Sequence, residues 1–154
     1  MKIAVFADSH HYNRAMLEAV ELEKPDAVFH LGDHEADAFE LEREFPSLTV
    51  YSVPGNCDLF PRGETRLLVP LAGKTIFAAH GHTFYVKSGL DSIITNALYS
   101  NADILLFGHT HQPFYDMVSG LHVINPGSIG YGMTYGILKI ESGVISYTPK
   151  QLAR

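Results

Sequence analysis

Five times along the chain a run of apolar residues breaks off into a polar cluster: Lys2 to Ala7 into Asp8-Ser9-His10, Ala27 to Leu31 into Gly32-Asp33, Leu48 to Val53 into Pro54-Gly55-Asn56, Lys74 to Ala79 into His80-Gly81-His82, and Ile104 to Phe107 into Gly108-His109-Thr110-His111. Short continuous apolar runs bounded by turn formers predict strands covered on both faces. A helix is predicted after the first strand, capped by Asn13, striped by Met16, Leu17 and Val20, and stopped before Pro25, because proline disfavours helix at the residue it follows. A second, acidic helix is predicted from Glu35 to Phe45, ended by Pro46. Strand, helix, strand implies parallel pairing.

The second half changes character. Arg66 to Leu71 and Lys74 to Ala79 flank Ala72-Gly73 as a predicted hairpin, and Leu90 to Ser100 as a helix. Leu121 to Ile124 runs into Asn125-Pro126-Gly127-Ser128, and a last hairpin, Tyr135 to Ile140 with Val144 to Tyr147, turns at Ser142-Gly143. No linker or composition break divides the chain, so one domain over 1–154 is expected. At 154 residues it can bury a sizeable core, and 46% hydrophobic against 18% charged residues reads as globular, not disordered.

Charge and cysteine usage narrow the chemistry. The N-terminal apolar run breaks at Asp8, too short for a signal-peptide core or a membrane span, so a cytoplasmic location without a membrane partner is the expectation. A net charge of -6 argues against stable nucleic-acid binding. The single cysteine, Cys57, excludes an intrachain disulfide or a cysteine-only metal cluster, so any metal must use imidazole, carboxylate or amide donors. A homo-oligomer is compatible with all of this.

Sites in open α/β sheets gather beyond the carboxyl ends of the strands. The five clusters would therefore converge, with glycines 32, 55, 81 and 108 easing the turns. Asp8, His10, Asp33, Asn56, His80, His109 and His111 are then seven candidate metal ligands. Their oxygen and imidazole donors suit manganese foremost, with iron, nickel, zinc or cobalt as alternatives. Seven ligands exceed one tetrahedral site, and a carboxylate such as Asp33 can bridge two cations. Two ions about 3.5–4 Å apart form an arrangement for phosphoryl transfer, in which a metal-bound hydroxide attacks in line.

These motifs resemble the calcineurin-like metallophosphoesterases, especially their small bacterial and archaeal phosphodiesterase branch, over nearly the whole chain. The resemblance implies a four-layer αββα sandwich of the α/β class, two mixed β-sheets flanked by helices. It also implies one metal on Asp8, His10 and His111, a second on Asn56, His80 and His109, and Asp33 on both, with Asp33, Asn56, Cys57 and Asp58 as the catalytic positions. Many family members carry histidine after the motif asparagine, where it helps protonate the leaving oxygen; here Cys57 follows Asn56. A thiol is the poorer proton donor, so the expected activity is hydrolysis of small organic phosphodiesters or cyclic nucleotides, ahead of a phosphomonoesterase or nucleotidase and of a non-catalytic scaffold.

Other readings are plainer. His11, His34 and His82 are stand-in proton donors, His30 a satisfied core histidine and His122 a surface one. The acidic run Glu35, Asp37, Glu40, Glu42 and Glu44 reads as a solvated helix face. Asn125-Pro126-Gly127-Ser128 reads as a turn packed under the site. Arg62 and Arg66 are candidates to meet a substrate phosphate, with Tyr12, Phe60 and Tyr131 as apolar walls.

Overall fold

Residue alternation along the first strand accounts for the layering. In the computed structural model, which describes residues 1–59, 61 and 63–153, strand β1 (Lys2–Phe6) sends Ile3 and Val5 to one face and Ala4 and Phe6 to the other, all fully buried. A strand buried on both faces needs a layer on each side. On the Ala4 and Phe6 side lie helices α1 (Asn13–Glu23) and α2 (Glu35–Glu44), which contribute Met16, Ala19, Val20 and Leu41 to the core. On the Ile3 and Val5 side lies a second sheet.

The first sheet has the order β10-β9-β1-β2-β3, with β2 (Ala27–His30), β3 (Thr49–Ser52), β9 (Thr134–Glu141) and β10 (Val144–Gln151). The predicted parallel units are present: Ile3 pairs with Ala27, and Ala27 with Thr49. The β9–β10 hairpin joins antiparallel on the other edge of β1. The second sheet has the order β4-β5-β6-β8-β7, from β4 (Arg66–Leu71), β5 (Lys74–Ala79), β6 (Ile104–Leu106), β7 (Pro113–Val118) and β8 (Leu121–Pro126). Ile76, Ala78, Ile104, Leu106 and Ile124 face the first sheet. The alternate residues Phe77, Ala79, Leu105 and Val123 face α3 (Asp91–Tyr99) with its Ile93 and Ala97. The result is the expected αββα sandwich of two mixed sheets. Each fully buried side chain of the size of Phe29 or Ile104 contributes roughly 1.5–3 kcal/mol.

Three expectations need correction. Asn13 does not cap α1; it is the first helical residue, preceded by Tyr12, whose side chain makes no capping bond. Strand β7 has no counterpart in the apolar pattern, because it is an edge strand exposed along most of its length. The acidic face of α2 is only partly solvated: Glu42 and Glu44 are exposed, but Glu35 and Asp37 are buried. Each of these two meets a backbone donor, Glu35 Oε2 accepting from Gly63 N–H at 3.0 Å and Asp37 Oδ2 from His11 N–H at 3.0 Å. No helix among the described residues is long and apolar enough to cross a membrane.

Candidate metal centre

Parallel neighbours point their carboxyl ends the same way, so the turns after β1 and β2 lie side by side. Asp8 N–H donates to the Gly32 carbonyl at 2.9 Å and His10 N–H to the Asp33 carbonyl at 3.1 Å. The turns after β5 and β6 are likewise joined, Gly108 N–H donating to the His80 carbonyl at 2.9 Å. Space is limited where the turns meet. A Cβ on Gly32, whose φ is +99°, would lie 2.7 Å from Gly55 N and 2.8 Å from His80 Nδ1. One on Gly55 would collide with the Asp33 carboxylate. Gly55 is therefore needed for close approach and Gly32 for both approach and backbone conformation.

All seven sequence-predicted donors are brought together. Asp8, His10, Asp33 and His111 form one set whose donor atoms lie within 4.8 Å of one another, and Asp33, His80 and His109 form a second. Asp33 belongs to both. In the second set His80 Nε2 lies 3.1 Å from His109 Nδ1, 3.4 Å from Asp33 Oδ2 and 3.1 Å from Asn56 Oδ1. In the first set Asp8 Oδ1 is 3.5 Å from His111 Nε2, and Asp33 Oδ2 is 3.6 Å from His10 Nε2. Asp8 Oδ1 and His10 Nε2 are buried without a hydrogen-bond partner among the described residues. An unpaired buried polar atom costs about 1–3 kcal/mol, and two in one hard, nitrogen-and-oxygen donor set fit a divalent cation.

The surrounding bonds orient these donors. His80 Nδ1 donates to the Leu31 carbonyl at 2.7 Å, which turns Nε2 to the site. Asp8 Oδ2 accepts from His109 N–H at 3.0 Å. Asn125 Nδ2 holds the loop of His109 and His111 through the Gly108 carbonyl at 3.2 Å and Thr110 Oγ1 at 3.0 Å. Ser128 Oγ donates to the Asp8 carbonyl at 2.8 Å. The segment Asn125–Ser128 thus packs under the site as read from the sequence, but its first two residues are not a turn: Asn125 and Pro126 end strand β8, paired with Phe114 and Pro113 of β7. Asp58 places one oxygen on Glu35 N–H at 2.9 Å and the other on Gly55 N–H at 2.8 Å, so it pins the Asn56 loop to the start of α2.

Electrostatics separate the two aspartates. Burial pushes the Asp8 carboxyl up to about 7, with the neighbouring Asp33 charge adding to it and His80 opposing. Burial also acts on Asp33, but the hydrogen bond and charge of His80 and the Cys57 N–H at 2.9 Å outweigh it and hold Asp33 below the usual carboxylate range. His80 is raised, the two aspartates overcoming its burial. Burial, then the charge of His80, brings His109 down to about 4; burial, then the charge of His10, lowers His111. His10 is lowered by burial despite Asp33. Neutral imidazoles present the lone pairs that a metal needs.

The other sequence candidates have clear places. Cys57 is exposed beside Asn56, and partial desolvation of its thiol plus the negative charge of Asp33 raise its pKa. The His11 and His34 rings are 3.3 Å apart between centroids, with His34 6.4 Å from His10. His82 lies 5.3 Å from His80. Tyr131 stacks on His111 at 5.3 Å and meets His10 at 4.9 Å, with Tyr12 behind it at 6.3 Å. His30 is the buried core histidine expected, bonded through Nε2 to Ser9 Oγ at 2.8 Å, and Ser9 donates in turn to Asp37 at 2.6 Å. His122 is half-buried and its Nδ1 is hydrogen-bonded with the Tyr115 hydroxyl at 2.8 Å. Arg66 reaches Asn96 at 3.4 Å, and Phe60 and Arg62 lie outside the described residues. Lys87, which no pattern singled out, brings its charge close enough to favour ionised Asp8 and neutral His109 and His111.

The largest cavity described, 770 Å³ between the carboxyl ends of α1 and α2, is lined by Glu21, Lys24, Phe45 and Leu48 and contains none of the seven donors. It lies at the opening ends of β2 and β3, away from the chemistry.

Residues 1–143 match the calcineurin-like phosphoesterase superfamily domain. The chain is 31% identical over 154 residues to a protein of Mycoplasma pneumoniae named as a probable metallophosphoesterase, covering 94% of this chain and 93% of that one. It is 30% identical over 162 residues to a phosphodiesterase of Methanocaldococcus jannaschii, covering 92% and 94%. Among solved structures it superposes on Vps29 of Entamoeba histolytica in complex with zinc, with a TM-score of 0.78 over 97% of this chain and 98% of that one; at 19% identity this likeness concerns the fold alone. The chain belongs to the calcineurin-like phosphoesterase superfamily, metal-using hydrolases of phosphoesters.

Proposed function

We propose that this protein is a two-metal phosphodiesterase acting on small organic diesters or cyclic nucleotides. The observation that carries the reading is the pair of donor sets that share Asp33. Asp8, His10 and His111 would hold one cation with Asp33, and Asn56, His80 and His109 the other. Two bound cations, manganese foremost, would supply acidified water and neutralise charge on the phosphoryl oxygens. The chain's own residues do the rest. The low pKa of Asp33 keeps its carboxylate charged throughout the physiological range. The His80 bond to Leu31 and the Asp58 bonds to the Asn56 loop hold the Asn56, His80 and His109 set in place before substrate arrives.

The preference for diesters rests on Cys57. Water adds in line to phosphorus as the bond to the leaving oxygen breaks, and that oxygen must be protonated or stable as an anion. The exposed Cys57 thiol has a raised pKa and is a weaker acid than imidazolium. Diesters with stable leaving groups therefore suit the site better than alkyl monoesters. A scaffold reading would call for missing donors, whereas all seven positions hold competent ones.

The test is hydrolysis of an aryl phosphodiester by protein reconstituted with manganese, with the other first-row metals in parallel. Turnover that is lost in Asp33→Asn supports the reading. Inactivity with every metal, or a fully active Asp33→Asn variant, refutes it.

A further inference from the structure

The loop that carries His109 and His111 has a second face. Thr110 and Gln112 from that loop line a cavity of about 440 Å³, within the roughly 300–1,000 Å³ range of small-molecule sites. Its apolar wall comes from Val86, Leu90, Phe107 and Phe114. Val86 and Phe107 are buried, and Phe114 remains 40% exposed with its ring 6.5 Å from that of Phe107. Two tilted aromatic rings and two branched aliphatics offer a planar group one ring face and an apolar edge. Lys87, exposed, also lines the cavity, and its charge favours ionised Asp8 and neutral His109. The loop is fixed from behind, because Asn125, which holds Thr110, pairs with Phe114 across β7 and β8.

The geometry points to this cavity as the seat of an aromatic ester group whose phosphate is held on the candidate metal centre, with Lys87 as a phosphate-positioning residue at the shared rim. The inference rests on the two-metal reading above and names its substrate class: diesters carrying an aryl group or a nucleobase. The main support is adjacency along the loop, since Thr110, which lines the cavity, stands between the candidate ligands His109 and His111. The exposed amide of Gln112 would meet heteroatoms on the ring edge.

Binding of two phosphonates that cannot be hydrolysed tests it without turnover. Protein loaded with manganese is titrated calorimetrically at pH 8 with phenylphosphonate and with methylphosphonate, which share a charge and differ by the ring. Phenylphosphonate should bind about tenfold tighter, the order expected for taking one ring face out of water. Phe114→Ala should bring the ratio close to one, Phe114→Tyr should retain it, and Lys87→Ala should weaken both ligands alike while keeping the ratio. Equal affinities in the natural protein, or a preference that survives Phe114→Ala, overturn the cavity assignment and leave the metal reading standing. No binding of either phosphonate overturns both.

Discussion

The imidazole of His80 and the carbonyl of Leu31, 2.7 Å apart, join the end of β5 in one sheet to the end of β2 in the other. One bond thus ties the two halves of the sandwich at the point where the donor sets meet. His80→Ala removes both the tie and a donor. The expected outcome is a drop from two bound ions to one, retained on the Asp8, His10, Asp33 and His111 set. Turnover should fall by more than about 100-fold, beyond the usual cost of losing an outer partner. Elemental analysis of the purified variant checks this, and two ions still bound per chain would remove His80 from the ligands.

Asn125 acts at one remove. It is fully buried, donates to Gly108 and Thr110 and accepts from Gly127 N–H at 2.9 Å. Asn125→Ala leaves those groups without partners, for an expected loss of about 1–3 kcal/mol in denaturant unfolding. Metal affinity should fall about 10–100-fold, because the loop of His109 and His111 loses its support. Unfolding and metal titration on the same preparation separate the two effects. Unchanged affinity with lowered stability would make Asn125 a purely structural residue.

Metal uptake should depend on pH through Asp8. Its folded pKa is raised to about 7, so in the metal-free fold its contribution to stability is fully present below the unfolded carboxyl value and is lost as pH rises through about 7. Cations compete with that proton, and with the one favoured on His80. Apparent metal affinity should therefore fall as pH drops below 7, by about tenfold per unit for each displaced proton. Titrations from pH 6 to 8 in weakly chelating buffers provide the check. A flat profile would mean that Asp8 is ionised throughout.

The strands that present most of the candidate ligands were legible because β1, β2 and β6 are covered on both faces, which forces continuous apolar runs such as Ile3-Ala4-Val5-Phe6. The candidate donors followed, since each stands at or just beyond the end of an apolar run. What escaped sequence reading depends on long-range contact. β7 presents Phe114, Tyr115 and Met117 to solvent and so lacks any alternation to detect. Glu35 and Asp37 occur in an acidic helix like solvated residues, yet the first turn of α2 lies against the loops of Gly63 and His11, where backbone N–H groups call for carboxylates. Lys87 lies more than twenty positions from His109 in the chain and approaches it only through the fold.

A second pH effect belongs to the opposite end of the first sheet. Glu23 is 9% exposed and lies 2.9 Å from Lys2 Nζ, 3.6 Å from Lys150 Nζ and 2.8 Å from the Tyr135 hydroxyl. Burial alone would raise its pKa, but the bonds from Lys2 and Tyr135 and the charges of Lys2 and Lys150 prevail and lower it. A depressed folded value contributes stability above the ordinary glutamate pKa of ~4.3, lost as pH falls through the folded value. Glu23→Gln should cost about 1–3 kcal/mol at pH 7. The gap from the natural protein should close in acid, and denaturant melts at pH 7 and below pH 4 measure it. A gap that persists in acid would assign the cost to packing.

Cys57 offers the sharpest test of selectivity. Its backbone N–H is engaged by Asp33 at 2.9 Å while the side chain is exposed beside Asn56, so Cys57→His can be accommodated without displacing a core residue. An imidazolium there could protonate an alkoxide leaving group, a role worth about 10²–10⁴-fold in general acid catalysis. The ratio of monoesterase to diesterase turnover should rise at least about tenfold, with the gain fading as pH exceeds the histidine pKa. Paired kinetics on an alkyl monoester and an aryl diester at pH 6 and 8 decide it. If the ratio stays constant, the proton reaches the leaving oxygen by another route, and the diester preference must then arise from the shape of the cavity beside Phe114 instead.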